Sequence, residues 1–201
     1  MIRVRVYRHA ESLSNAGGRT LEPAGIPLTG RGRDQAEGLA KRMTEPPELI
    51  LASAFRRSLD TAAPILQRFP EAMHEVWPIQ EFTYLSPASC INTSWVERKP
   101  RIDAYWAALD PTYVDGEGAE NFSHLLVRAR SFLEKLAGLA NDLTVAVSHG
   151  QFMQAARLMA EAPDLDDKTA MTMFRDRDRI RPFANCELLE FVVEDGQVSS
   201  A

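Results

Sequence analysis

The pattern of apolar and polar residues along the chain predicts five strands. Residues 2–7 alternate apolar and polar side chains, as a partly buried strand does. Residues 143–148 are almost continuously apolar, which indicates a strand covered on both faces. The other three strands are predicted at 48–52, 73–77 and 187–193.

Apolar residues at helical spacing predict helices between these strands. They fall at about 35–43, from Ser53 onward, at 121–136 and after Gly150, and Pro64 is expected to kink or end the second helix. Strands that alternate with helices predict an α/β three-layer sandwich, with a mostly parallel central sheet and helices on both faces. The last strand is expected to lie antiparallel at an edge.

Residues 82–119 are the part that periodicity explains least, and we call this segment the excursion. It contains prolines and aromatic residues, which would either pack it onto the domain or line an apolar pocket. Because it follows a strand end, we expect it to cross over the site and not to form a separate domain. The chain of 201 residues is long enough to bury one core, so we expect a single domain, 1–201.

Composition and charge narrow the class of protein. Apolar residues make up 45% and charged residues 25% of the chain, which is ordinary for a soluble globular protein. A net charge of -5 with no extended Lys/Arg-rich run argues against nucleic acid as a partner. We find no signal-peptide pattern and no apolar run of the ~20 residues that a membrane helix needs. We therefore expect a cytoplasmic protein with no membrane partner, and leave its oligomeric state open.

The two cysteines give no sign of a metal site. Cys90 and Cys186 lie far apart and lack the spacing of metal ligands, so we expect both to be reduced thiols. The chain also shows no carboxylate cluster of the kind that binds a cation. We expect no metal and no other cofactor.

The first candidate functional residues, Arg8 and His9, lie where the first predicted strand ends. Open α/β sheets place their ligands at the carboxyl ends of strands, and a guanidinium beside an imidazole there can hold a phosphate and attack it. Three further segments supply matching chemistry, at 28–36, 53–62 and 147–150.

In this order the four segments resemble the histidine phosphatase superfamily, also called the phosphoglycerate mutase-like family. Its members carry Arg-His-Gly-Glu, Leu-Thr-x-x-Gly-x-x-Gln-Ala, Ser-Pro-x-x-Arg-Ala-x-x-Thr-Ala and Ser-His-Gly. The resemblance extends from residue 3 to about Phe191 and fixes the excursion least. Ala10 stands where the family has glycine; we expect the loop to tolerate it unless a positive φ is needed there.

The resemblance implies a role for each matching residue. His9 would be the nucleophile that becomes phosphorylated, and Arg8, Arg57 and His149 would bind the phosphate, with His149 also counted as catalytic. Glu81, four residues past the third predicted strand, would be the general acid.

Other positions admit two interpretations. Ser12 and Asn15 would either contact the substrate or cap the loop. Asn185 falls where family members often have asparagine, and Glu120 fits a helix N-terminal charge better than a catalytic group. The run Arg98-Lys99-Pro100-Arg101 is either a solvated patch, which we favour slightly, or a lid that recruits a second phosphate or a carboxylate of the substrate.

Elementary chemistry supports these roles. Phosphoryl transfer depends on positioning and charge neutralisation, and arginines offer bidentate donors to a phosphate. Two nearby guanidiniums should lower the pKa of His9 and keep it neutral, whereas bound phosphate should raise the pKa of Glu81. The helix amino terminus after Gly150 could add backbone donors to the phosphate.

We therefore expect a metal-independent phosphomonoesterase that acts on a small phosphorylated molecule through a phosphohistidine, a histidine acid phosphatase-type phosphoric monoester hydrolase. One alternative is mutase-type phosphoryl transfer, against which the absence of tryptophan between residues 13 and 27 speaks. The other is a phospho-ligand binding protein that has lost turnover. Sugar phosphates, nucleotides, phosphoproteins and cofactor intermediates all remain open as substrates.

Overall fold

The computed structural model describes residues 1–20 and 22–200, and six strands in this part of the chain form one sheet. They are β1 (Ile2–Arg8), β2 (Leu49–Ala52), β3 (Met73–Val76), β4 (Leu143–Ser148), β5 (Leu188–Glu194) and β6 (Gln197–Ser200). Their order across the sheet is β3-β2-β4-β1-β5-β6. The first four strands pair in parallel and the last two antiparallel, which confirms the mostly parallel sheet.

Seven α-helices and a short 3-10 turn at Pro23–Gly25 connect the described strands. The helices are α1 (Gly30–Arg42), α2 (Arg56–Arg68), α3 (Pro87–Cys90), α4 (Trp95–Ala108), α5 (Phe122–Ala137), α6 (Gly150–Glu161) and α7 (Asp167–Ile180). None of these helices, which cover the described residues only, has the length and apolar character that a membrane crossing requires.

The sheet has a core on each face because side chains alternate along its buried strands. Leu49 and Leu51 of β2 face the larger core, which α5, α6, α7 and the excursion cover. Ile50 and Ala52 face the smaller core, where they meet α1 and α2. Helices therefore cover both faces, as the three-layer prediction requires.

Three details differ from the sequence prediction. The edge position belongs to β6, so β5 is antiparallel as expected but lies inside the sheet. Helix α2 begins at Arg56, three residues after the predicted start at Ser53. It continues past Pro64 to Arg68, so the prediction that the helix could end at Pro64 is wrong. Burial of Ala62 and Ile65 on this helix outweighs the backbone hydrogen bond that proline removes.

Aromatic rings join the excursion to the larger core. Trp106 of α4 stacks on Phe174 of α7 with ring centroids 5.7 Å apart. Phe82 packs edge-on against Phe122 of α5 at 5.9 Å. Trp95, in contrast, is more than half exposed. The aromatic residues of the excursion therefore divide between packing and lining an open surface.

Substitution of Phe122 tests how strongly the excursion depends on this packing. Phe122 is fully buried, so Phe122→Ala should lower the free energy of unfolding by about 3–5 kcal/mol, through lost apolar burial and the cavity left behind. Urea denaturation measures the change. Val127→Ala on the exposed face of the same helix should shift it by less than about 0.5 kcal/mol. Equal effects of the two changes would contradict this packing.

Candidate active site

Two histidines meet at the carboxyl ends of the central strands. His9 directly follows β1 and His149 directly follows β4, and these strands are parallel neighbours with Arg8 in register with Ser148. The two rings lie 4.9 Å apart between centroids, and neither side chain is more than 2% exposed. Residues 140 positions apart in sequence therefore face one small volume.

Arg57 joins this pair from the first turn of α2. Its Nε donates a hydrogen bond of 3.0 Å to His9 Nε2, and its Nη1 donates to the Pro23 carbonyl at 2.8 Å. The guanidinium also lies over the ring of Phe55, 4.9 Å from its centroid. Arg57 is 7% exposed, and burial is the main cause that lowers its pKa to about 10. It still carries its charge at neutral pH.

Arg8 and His149 each present a buried nitrogen that has no hydrogen-bond partner in the described structure. These atoms are Arg8 Nε and His149 Nδ1. Arg8 is held through Nη1 by the carbonyl of Phe183. Buried polar atoms are nearly always paired in folded proteins, so unpaired donors at one place point to a ligand that accepts hydrogen bonds. A tetrahedral oxyanion fits that requirement.

The hydrogen bonds of His9 assign its tautomer. Nδ1 lies 2.7 Å from the carbonyl of Ala10, so it carries the proton and donates, and Nε2 keeps its lone pair. Burial, and then the charges of Arg57 and Arg8, hold the pKa of His9 well below its usual value. A neutral imidazole with an unprotonated Nε2 is the form that can attack phosphorus once the hydrogen bond from Arg57 is released.

Ser53 assigns the tautomer of His149 in the same way. Its Oγ lies 2.6 Å from His149 Nε2 and also accepts the backbone N–H of Phe55, so the hydroxyl proton is directed to Nε2. Nδ1 is then the N–H of His149. Burial first, and then Arg57, keep the pKa of His149 well below its usual value. The sequence pattern marks Ser53 only as the first residue of segment 53–62 and carries no signal for this contact.

Glu81 reaches the site from the segment that follows β3. Its Oε1 accepts the N–H groups of Phe82 at 3.1 Å and Gln151 at 3.0 Å. Burial raises the pKa of Glu81, against the lowering effects of Arg57 and Arg8. The Gln151 donor belongs to the first turn of α6, so part of this helix terminus, expected above to serve phosphate, is occupied by Glu81.

The loop after His9 is held in place by the second of the four segments, 28–36. Glu11 donates its N–H to Gln35 Oε1 at 2.9 Å and accepts the N–H of Thr29 at 3.0 Å. A Cβ built on Gly32 would lie 2.0 Å from the Glu11 carbonyl oxygen, so only glycine fits there. The φ of Ala10 is not positive, and the loop accepts alanine without backbone strain.

Ser12, Asn15 and Asn185 form a hydrogen-bonded group beside this loop. Both the N–H and the hydroxyl of Ser12 donate to Asn15 Oδ1, at 3.2 and 3.1 Å. Asn185 Nδ2 donates to the same oxygen at 3.2 Å and to the His9 carbonyl at 2.8 Å. Ser12 is 1% exposed. These contacts order the loop, and a part for Ser12 and Asn15 in substrate binding stays a prediction.

A cavity of about 270 Å³ opens beside the histidines, and we call it the side cavity. Arg57 and Glu81 of the site line it, together with residues of the excursion. Glu120 does not line this cavity. Its carboxylate forms an ion pair with Arg128 at 2.6 Å, so it does more than place a charge at the start of α5. Among the residues described, no group of three or more His, Cys, Asp or Glu is placed to hold a metal ion.

The chain is similar to known proteins over most of its length. The family model described as "Histidine phosphatase superfamily (branch 1)" matches residues 4–194. Phosphoserine phosphatase 1 of Hydrogenobacter thermophilus is 25% identical over 217 residues, which cover 96% of this chain and 98% of that protein.

Solved structures share the fold. A phosphoserine phosphatase variant from Entamoeba histolytica, in complex with phosphoserine, has a TM-score of 0.76 at 20% identity, covering 100% of this chain and 95% of that one. The alpha-ribazole phosphatase from Shigella flexneri has a TM-score of 0.75 at 18% identity, with the same two coverages.

The contact between Ser53 and His149 can be tested by anion binding. Ser53→Ala should weaken the binding of inorganic phosphate about fivefold, because loss of a hydrogen bond worth ~1 kcal/mol leaves His149 free to change tautomer. Isothermal titration calorimetry measures the Kd. Thr144→Val is the matched control, since Thr144 is equally buried and its hydroxyl forms no hydrogen bond within the described part of the chain. If both variants bound phosphate equally well, Ser53 would have no part in orienting His149.

Proposed function

Because the chain belongs to the histidine phosphatase superfamily, branch 1, we propose that it hydrolyses phosphomonoesters through a phosphohistidine formed on His9. The observation that carries the proposal is the placement of His9 Nε2. This lone pair lies 3.0 Å from Arg57 Nε, in the volume that the unpaired donors of Arg8 and His149 border. Such a site combines a nucleophile with donors for the oxygens around the phosphorus atom.

In the first step, His9 Nε2 attacks phosphorus as the bond from phosphorus to the ester oxygen breaks. Glu81 gives its proton to the departing oxygen, which leaves as an alcohol. In the second step, water attacks phosphorus, the bond from phosphorus to nitrogen breaks, and the Glu81 carboxylate takes the proton of the water. Inorganic phosphate leaves and both residues return to their starting states.

Charge neutralisation supplies much of the catalytic effect in this scheme. Arg8 and Arg57 offer fixed guanidinium donors to the phosphoryl oxygens, and the Nδ1–H of His149 adds a neutral donor. All three groups are held by protein contacts before the substrate arrives, so little reorganisation is needed. Arg57 has only to redirect the hydrogen bond of its Nε–H from His9 Nε2 to an oxygen of the phosphate.

A histidine acid phosphatase-type pH dependence follows from the proposed role of Glu81. The carboxyl must be protonated to donate, and burial raises its pKa above the ordinary value. His9 must be neutral to attack, and its lowered pKa keeps it so in mildly acidic solution. Both shifts favour activity on the acidic side of neutrality.

We propose that the substrate is small and that the excursion selects it, within a single domain formed by 1–201. Relatives are named as phosphatases of phosphoserine, alpha-ribazole and glucosyl-3-phosphoglycerate, and these names support a small phosphorylated molecule. Residues of the excursion line the side cavity next to Arg57 and share the larger core with α5. Both facts support one domain with a substrate-selecting segment.

Phosphoenzyme trapping tests the role of His9. Brief exposure to a labelled aryl phosphate should leave acid-labile, base-stable label on the wild-type chain, and His9→Ala should remove both label and phosphate release. His74→Ala, which changes an exposed histidine on β3, should keep both. Release without a bisphosphoglycerate primer would separate hydrolysis from mutase-type transfer. Tight phosphate binding with neither label nor release would contradict the proposal and favour a binding protein.

Substitution of Glu81 tests the proton donor. kcat/KM reports the first step, so Glu81→Gln should lower it about a hundredfold for an alkyl phosphate, and much less for an aryl phosphate whose leaving group needs no proton. In the wild type, kcat/KM for the alkyl ester should fall as pH rises through the raised pKa of Glu81, and the variant should lack this fall. Glu71→Gln, an exposed change, is the control. Equal losses for both esters would remove Glu81 from the acid role.

A further inference from the structure

Arg98 lines the side cavity together with residues of the proposed phosphate site. It belongs to α4, in the excursion, and is half-buried. Arg57 and Glu81 line the same cavity. A molecule whose phosphate is held by Arg57 would therefore extend toward a second guanidinium.

Among the described residues, one nitrogen of the Arg98 side chain, Nη1, forms hydrogen bonds to the protein. Nη1 lies 2.8 Å from each of three oxygens, Thr20 Oγ1, Thr93 Oγ1 and the Thr93 carbonyl, and 3.5 Å from the Cys90 carbonyl. All four acceptors are uncharged. Within the described residues, Nε and Nη2 form no hydrogen bond. The guanidinium is held in position, with its charge not neutralised and one edge available.

The neighbouring cations on α4 differ from Arg98 in this respect. Lys99 forms an ion pair with Asp103 at 2.5 Å, and Arg101 with Asp115 at 2.5 Å. No carboxylate of the described residues lies within ion-pair distance of Arg98. The four-residue run found in the sequence therefore divides into two paired surface cations and one cation that faces a cavity.

The other residues that line the cavity indicate which kind of molecule would fit between the phosphate site and Arg98. It is largely apolar and partly aromatic, with contributions from Ile26, Phe55, Phe82, Tyr84, Leu85 and Ile102. An apolar cavity of about 150 Å³ holds a benzene ring, so about 270 Å³ accepts one ring with a short substituent. A strongly hydrated sugar would leave much of this wall without a matching surface.

We propose that Arg98 binds a carboxylate of the substrate, and that the substrate class is a phosphomonoester whose phosphate and carboxylate are separated by an apolar or aromatic body. This inference rests on the proposed function and adds to it the class of substrate that the site selects. The edge formed by Nε and Nη2 can donate two parallel hydrogen bonds to a carboxylate, which a lysine cannot do in that geometry. Arg98 would thus select the substrate while His9 carries the chemistry.

A matched pair of substrates tests the proposal. 4-(Carboxymethyl)phenyl phosphate and its methyl ester have similar leaving groups and differ in one negative charge. Wild-type kcat/KM should be about tenfold higher for the carboxylate, the ratio expected from ~1.4 kcal/mol of charged hydrogen bonding. Arg98→Gln should abolish this preference and change kcat/KM for the methyl ester by less than about threefold. Lys99→Gln removes one charge from the same helix and should keep the preference.

Other outcomes overturn the proposal. Equal wild-type rates for the two esters would do so, as would an Arg98→Gln variant that loses activity on both esters equally. A marked preference for a second phosphate group in place of the carboxylate would overturn the assignment to a carboxylate. If Arg98→Gln does not fold, as judged by circular dichroism, Arg98→Lys should retain charge attraction and lose part of the preference.

Failure of the proposed function gives a different result. In that case neither ester is hydrolysed and His9 is not labelled, and binding of 4-(carboxymethyl)benzylphosphonate and its methyl ester is measured by calorimetry instead. A tighter Kd for the carboxylate, lost in Arg98→Gln, would support the Arg98 site independently of turnover. Equal Kd values would overturn it.

Discussion

Burial of positive charge beside two neutral imidazoles is the constraint on which this structure depends. Arg8 and Arg57 lie next to His9 and His149, and together with burial they keep both ring pKa values well below normal. Four protonated groups in this volume would repel one another strongly. The imidazoles therefore stay neutral. A neutral His9 is required for the proposed attack on phosphorus, and a neutral His149 has one defined N–H donor, at Nδ1. One electrostatic condition thus determines the state of the whole site.

The remaining structure holds these four groups in place, although the two guanidiniums repel each other. The carboxyl ends of β1 and β4 place the histidines, and the Ser53 hydroxyl and the Ala10 carbonyl assign their tautomers. Segment 28–36 supports the loop after His9 through close backbone contacts with Glu11. Each segment that resembles the family therefore contributes either a group of the site or the support of one. This division explains why all four segments are needed, although only three contain proposed site residues.

Sequence patterns predicted what local periodicity and short motifs encode. The strands at 2–7 and 143–148 and the helix α5 have strong periodic signals, and the structure has each of them. Strand β6 has four residues and is mostly polar, and it forms by pairing with β5. The local sequence pattern therefore did not predict it. The contact of Ser53 with His149 joins residues 96 positions apart, and a fold is needed to see it. The same holds for Arg98, whose position depends on oxygens of Thr20 and Thr93.

The hydrogen bond from Arg57 Nε to His9 Nε2 has a consequence for the resting protein. While it is in place, the lone pair of His9 Nε2, the proposed nucleophile, is covered by a cation. An anion with several oxygens can draw the guanidinium to itself and so uncover that nitrogen. An uncharged electrophile offers Arg57 nothing in exchange and meets a masked atom. If His9 attacks as proposed, the ligand therefore exposes the nitrogen that reacts with it, and an uncharged reagent meets a covered atom.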